Sequence, residues 1–188
     1  MSLNRFTLMG AAAALAIGLA GSAFAQPVLE DPMVGGVAMY ATKNIVENAS
    51  NSPDLTTLVA AVKAGGLVAT LQGPGPFTVF APTNEAFAKL PPGTVNSLLQ
   101  PGNNAQLIKI LSYHVIAGRL TANDIVNQIN AGGGSAVLTT TTNEPLTATI
   151  VNGALILTDV HGGQSMVTIP NVYQSNGVVH VVNTVLLP

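Results

Sequence analysis

Residues Phe77 to Leu90 read F-T-V-F-A-P-T-N-E-A-F-A-K-L. Phe77-Thr78-Val79-Phe80 is aromatic and β-branched, as a short buried strand requires. Pro82 stops the ladder because its nitrogen carries no hydrogen. Thr83 stands where its hydroxyl can take an orphan amide of the next turn, and Glu85 complements that turn's positive end. Phe87 and Leu90 are the side chains this turn can press into a core, and Pro91-Pro92-Gly93 ends it. A strand handing directly to a capped helix, apolar on both, is a nucleus for other elements.

Upstream, Ser52 to Gly66 predicts a helix. Ser52 can cap it, Pro53 suits its first position and Asp54 its dipole. Leu55, Leu58, Val59 and Val62 then share one face, and Gly65-Gly66 supplies the exit. Asn44 to Asn48 predicts a short helix, while Gln26 to Ala41, with Pro27, Pro32 and Gly35-Gly36, reads as a leader of uncertain order. Downstream, Thr94 to Gln100 and Asn104 to Ser112 are helical, the second with a buried stripe of Leu107, Ile108 and Leu111. Thr121 and Asp124 have the spacing of a capping box.

The period then changes from 3.6 to 2. Ala136 to Thr140, Leu146 to Val151, Ala154 to Thr158, Met166 to Val172 and Val178 to Leu187 read as strands, with Asn152-Gly153 as a type I′ hairpin turn. Helices first and strands later, with one strand threaded early, argues an α+β domain.

Thr78 to Phe87 closely resembles the first signature of the fasciclin domain. Tyr113-His114-Val115 is similar to the family's central Tyr-His motif, and N-G-V-V-H-V-V-N-T-V-L-L-P, Asn176 to Pro188, resembles its second signature. The resemblance covers residues 42–188 and implies a β-sandwich or wedge with small helices packed on one side. It implies structural roles for Thr78, Phe80, Pro82, Thr83, Phe87, Gly177, His180 and Leu186. It also implies an extracytoplasmic module known mainly for adhesion, in which Tyr113, His114, Val115 and Ile116 form a partner-binding edge. The residues by themselves favour an interior pair, because a buried tyrosine and histidine need satisfied partners before anything else. Two departures matter. Asn183 replaces an aspartate common in the second signature. Asn171, in Ile169-Pro170-Asn171-Val172-Tyr173, stands where integrin-binding members carry a carboxylate, and an amide coordinates a cation far less strongly. That argues against integrin binding.

Residues 1–25 read as a secretory signal peptide: a weakly basic start, an apolar run from Phe6 to Leu19, and Ala23-Phe24-Ala25 as the cleavage site. The run is too short to span a bilayer. Without cysteine there is no disulfide framework, which fits a bacterial periplasm or exterior. Charged residues make up only 7% of the chain, against roughly one quarter in ordinary globular proteins. The surface must therefore be dressed with neutral polar groups, and it has no footprint for nucleic acid or anionic lipid.

No catalytic apparatus is legible. His114, His161 and His180 lack metal-ligand spacing, Asp159-Val160-His161 lies in a loop, and Gly163-Gln164-Ser165-Met166 is no nucleophile elbow. No enzyme activity, cofactor or metal is expected. The reading is an exported interaction module for adhesion or envelope association, its partner a surface or envelope protein or a polysaccharide. The alternative is a carrier of an apolar small molecule of carotenoid or lipid type, since 48% of the chain is hydrophobic and could leave a groove beside the sheet.

Overall fold

The computed structural model describes residues 31–188; the signal-peptide expectation lies outside the described residues. The chain enters through a small hairpin, β1 (Met33–Val34) and β2 (Val37–Ala38), turned by Gly35 and Gly36 at φ 62 and 76. Val34 and Met39 are buried. Asn48 holds this segment by accepting from the Tyr40 N–H and donating to the Tyr40 carbonyl. Residues 31–41, expected as a leader of uncertain order, are thus folded onto the domain.

Helix α1 (Ile45–Asn51) starts with a capping box, Asn44 and Glu47 each satisfying the other's amide. The next helix differs from expectation. Pro53–Leu55 is a 3-10 turn leading into α2 (Thr56–Ala64), and the Ser52 hydroxyl caps nothing. It donates instead to the Val34 carbonyl at 3.1 Å, tying the hairpin to the helix start. Leu55, Leu58 and Val62 are buried as expected, with Val59 half-buried. After α3 (Val68–Leu71) comes β3 (Phe77–Pro82), then α4 (Asn84–Ala88), capped by the Thr83 hydroxyl accepting from the Ala86 N–H at 3.3 Å.

Helices α5 (Thr94–Leu98) and α6 (Asn104–Tyr113) follow. The buried stripe of α6 is Leu107, Ile110 and Leu111, while Ile108 is 37% exposed. The buried face is therefore i, i+3, i+4 from Leu107, with Ile110 in the place expected for Ile108. Strand β4 (Val115–Ala117) leads to α7 (Ala122–Ala131), whose Thr121–Asp124 capping box forms as read.

The strands are β5 (Ser135–Thr139), β6 (Pro145–Val151), β7 (Ala154–Thr158), β8 (Gln164–Gln174) and β9 (Gly177–Val182). Asn152 and Gly153 have φ 52 and 79, as a type I′ turn demands. One sheet runs β4-β3-β9-β8-β7-β6-β5. Only β3 and β9 pair in parallel, Phe77 opposite Gly177 through Pro82 opposite Val182. Long β8 serves both halves, pairing β7 at its start and β9 at its end, with register shifts between Val167 and Val172. Pro170 and Asn171 sit in that irregularity, where a bulge bends the strand. Strand β9 ends at Val182 and not at Leu187, because Asn183 turns to Met166, its N–H donating to the Met166 carbonyl and its side-chain oxygen accepting from the Met166 N–H.

Two cores lie on opposite sides of β3 and β9. Val79, Ala81, Val179 and Val181 face the helices, with Phe87 and Leu111. Phe80, Val182 and Leu186 face the second core, with Tyr113, Ile116, Ile125 and Leu157. Central strands covered on both faces read as unbroken apolar runs, which is why Phe77–Pro82 and Val178–Val182 hold so few polar residues.

Candidate interaction site

The three motif stretches meet in one buried polar seam. Phe80 stacks on His180 at 5.6 Å between ring centroids and 28° between planes, and both are fully buried. His180 Nε2 donates to the Leu120 carbonyl at 2.9 Å, and its Nδ1 accepts from the Asn171 N–H at 3.3 Å. Thr78 secures the same loop: its hydroxyl donates to the Gly118 carbonyl and accepts from the Leu120 N–H. Burial keeps His180 neutral by lowering its pKa.

His114 follows α6 as its C-cap. Its Nδ1 donates to the Ile110 carbonyl at 2.8 Å and its Nε2 accepts from the Leu186 N–H at 3.0 Å. The central motif thereby ties helix α6 to the final segment of the chain. Burial lowers its pKa to about 4, against the weaker opposing pull of the Ile110 carbonyl. Tyr113 donates its hydroxyl to the Pro145 carbonyl at 2.8 Å, and burial, then the Asp159 charge, push its pKa up to about 12. Val115 and Ile116 are buried beside them. All four residues that the resemblance offered as a binding edge thus have their side chains inside the domain. Tyr113→Phe should cost about 1 kcal/mol, one hydrogen bond with its carbonyl left behind, as a lowered denaturant midpoint at unchanged slope.

The remaining motif residues are equally interior. Pro82 closes β3, Thr83 caps α4, Phe87 packs in the first core and Leu186 in the second. Gly177 faces the Phe77 carbonyl so closely that a Cβ there would stand 2.1 Å from its oxygen. Asn171 adopts φ 58, and its side-chain oxygen accepts from the Ala122 N–H at 2.8 Å, so this amide braces α7. Asn183 bonds to Met166 and Thr184 and makes no hydrogen bond to His180. Asp159 accepts from the N–H groups of His161, Gly163 and Leu187, a loop clamp on the final residues. Among the described residues no group of three or more His, Asp or Glu could hold a metal ion.

Sequence reasoning missed Asn176, whose side chain accepts from the Ile45 N–H and donates to the carbonyls of Leu71 and Gly73. It also missed where the sparse charge leaves a surface. From Ile125 to Pro188 the only charged residues are Glu144 and Asp159. The outward face of β5 to β8 follows from the register: Ser135, Thr149, Ile156 and Met166 form one cross-strand row, and Val137, Thr147, Thr158 and Gln164 the next. No member carries a charge. Hydroxyls and methyls alternate there, able to hydrogen-bond and pack against a neutral polar surface with little dependence on salt. The charge counts after Asp124 were the available signal; the face itself needs the pairing register.

A seven-stranded sheet with small helices packed against it and a buried seam holding two histidines defines an α+β fold of the fasciclin type. The chain belongs to the fasciclin domain family, whose model matches residues 53–188. It is 44% identical over 156 residues to protein sll1483 of Synechocystis, covering 83% of this chain and 79% of that one. It is 33% identical over 195 residues to immunogenic protein MPB70 of Mycobacterium bovis, covering 92% of each. Against transforming growth factor-beta-induced protein ig-h3 of Sus scrofa the identity is 39%, covering 70% of this chain and 17% of that protein. A solved FAS1 domain pair from the insect cell adhesion molecule Fasciclin I superposes with a TM-score of 0.69 at 20% identity. The match covers 78% of this chain and about half, 51%, of that one.

Proposed function

We propose that the chain is an exported, non-enzymatic interaction module, cleaved near Ala25 and secreted or periplasmic, that associates with an envelope or surface partner. The observation that carries this reading is the charge-free outer face of β5 to β8, with Thr147, Thr149, Ile156 and Thr158 at its centre. Its partner is a neutral polysaccharide or an envelope protein. Kinship with a cell adhesion molecule supports the class of function. In this reading Tyr113 to Ile116 support the scaffold and do not touch the partner. No helix among the described residues is long and apolar enough to cross a membrane.

The test is binding of the purified chain to envelope fractions of its native host. Thr149→Glu and Ile156→Glu, each made singly because the two residues are cross-strand partners, should weaken binding by about tenfold or more, as buried unpaired charge at an interface does, while the domain still unfolds in one cooperative transition. Binding by both variants equal to that of the parent would overturn the reading. The carrier alternative has one observation in its favour, an apolar cavity between α1, α2 and the sheet lined by Ile45, Leu58, Val62, Val79 and Val181. At about 40 Å³ it is far below the few hundred Å³ that a drug-sized ligand fills. Colour or extractable lipid in native-source protein would restore that alternative.

A further inference from the structure

The chain contains two Asn-Gly dipeptides, Asn152-Gly153 and Asn176-Gly177, and the fold treats them oppositely. An asparagine before glycine is chemically labile, because no Cβ shields the following amide nitrogen from the side-chain carbonyl carbon. Asn176 is locked. It is 7% exposed, its side-chain oxygen accepts from the Ile45 N–H, and its amide donates to the carbonyls of Leu71 and Gly73. Its backbone carbonyl accepts from the Phe77 N–H at 3.1 Å, which fixes the plane of the Asn176–Gly177 peptide. Gly177 is packed directly on the Phe77 backbone, so that plane has no room to turn.

Asn152 is open. With Gly153 it forms the exposed tip between β6 and β7, beside Val151. Among the described residues no hydrogen bond beyond the β6–β7 ladder reaches either one, and nothing stands within 4 Å of where a Gly153 Cβ would be. The pair holds a type I′ turn, φ 52 and 79. Rotating the Asn152–Gly153 peptide plane alone converts type I′ to type II′, and both close a two-residue hairpin. That rotation carries the Asn152 ψ from about 30° to about −120°. There the Gly153 nitrogen eclipses the Asn152 Cβ and comes within reach of Cγ, while β6 and β7 stay paired. The flipped turn is strained for an L-residue by about 1–3 kcal/mol, so it is a minor state and the conversion is slow.

We propose that Asn152 is a site of spontaneous deamidation in the folded protein, and that the fold spares Asn176. Solvent base removes the Gly153 amide proton and the nitrogen attacks Asn152 Cγ. The N–Cγ bond forms, the Cγ–Nδ2 bond breaks, and Nδ2 takes up a proton and leaves as ammonia. Water then opens the succinimide at either carbonyl to give aspartate or isoaspartate, each with one new carboxylate; nothing is oxidised or reduced. Because Glu144 and Asp159 are the only charged residues from Ile125 to Pro188, a third carboxylate at this tip is a large change for this part of the surface. The modification does not depend on the envelope-binding reading, since it requires only the purified chain.

Protein expressed from the full sequence is held at mildly alkaline pH and mapped by mass spectrometry after chymotryptic cleavage, since no Lys or Arg follows Arg119. Electron-transfer fragmentation separates aspartate from isoaspartate. The expected result is acidic product at residue 152 accumulating about tenfold faster, or more, than at residue 176. In denaturant, where the fold shields neither site, the two should convert at similar rates. Asn152→Gln, whose longer side chain would have to close a six-membered ring, should lose the product at 152 and leave residue 176 unchanged. Conversion of Asn176 as fast as Asn152 in the folded protein would overturn the proposal. So would an Asn152 that stays intact in the folded chain, which would make the turn protective, or a ratio of rates unchanged by denaturant, which would assign the selectivity to sequence and not to the fold.

Discussion

Gly177→Ala is expected to leave the domain largely unfolded. The new methyl carbon would stand 2.1 Å from the Phe77 carbonyl oxygen, where real Cβ atoms do not come within 3.0 Å. Relief requires β3 and β9 to part, and both are held. Phe77 opposite Gly177 begins six consecutive parallel pairs, and the Phe77 N–H already donates to the Asn176 carbonyl at 3.1 Å. Asn176 is in turn pinned through its side chain to Ile45, Leu71 and Gly73. Gly75, at φ 61, is a second close approach, its own would-be Cβ 2.2 Å from the Asn176 oxygen. Nothing nearby is a flexible side-chain tip that could swing aside. The cost should exceed about 4 kcal/mol, most of what a domain of this kind possesses. Loss of the cooperative thermal transition and of soluble yield checks it. Gly102→Ala, with nothing within 4 Å, should stay within about 0.5 kcal/mol of the parent.

Acid should weaken the fold by a comparable amount. His114 has its folded pKa lowered from 6.5 to about 4, chiefly by burial. The unfolded chain takes up a proton below 6.5 that the folded chain refuses, so unfolding gains as pH falls. Stability is fully present above pH 6.5, declines between 6.5 and about 4, and levels off below. The loss from His114 alone is about 3 kcal/mol. His180, lowered in the same direction by burial, adds to the loss as pH falls below 6.5. Denaturant unfolding at a series of pH values reads this directly. In His114→Gln the slope should fall by about 1.4 kcal/mol per pH unit, the contribution of one proton.

What the chain announces locally, it forms. The strand-to-helix junction at Phe77–Leu90 needs only β-branched residues, a proline and a capping threonine in sequence, and all act within a few residues of one another. The Asn152-Gly153 turn and the Thr121–Asp124 box are equally short-ranged. Where a side chain chooses a distant partner, local reasoning fails. Ser52 has the residue type of an N-cap, but the buried Val34 carbonyl 18 residues away offers its hydroxyl a better use. Asn176 looks like a turn residue and bridges segments 131 and 105 residues away. The stripe of α6 is displaced because Ile108 and Ile110 are equally apolar in sequence, and only the packing of the sheet decides between them. Low charge was plain from composition, yet its concentration on one face required the register of four strands. His114 and His180 were legible as interior residues, and their partners, Leu120, Asn171, Ile110 and Leu186, were not.

The central claim is that the family motifs build the interior while the surface does the binding. Two-bond ¹H–¹⁵N correlation of the histidine rings, followed from neutral pH downward, tests it most directly. The account predicts opposite neutral tautomers at neutral pH, with the proton on Nδ1 of His114 and on Nε2 of His180, and His114 taking up a second proton only near pH 4. Rings that titrate together near pH 6.5 in the folded protein, averaging between tautomers, would place the motif in water and contradict it.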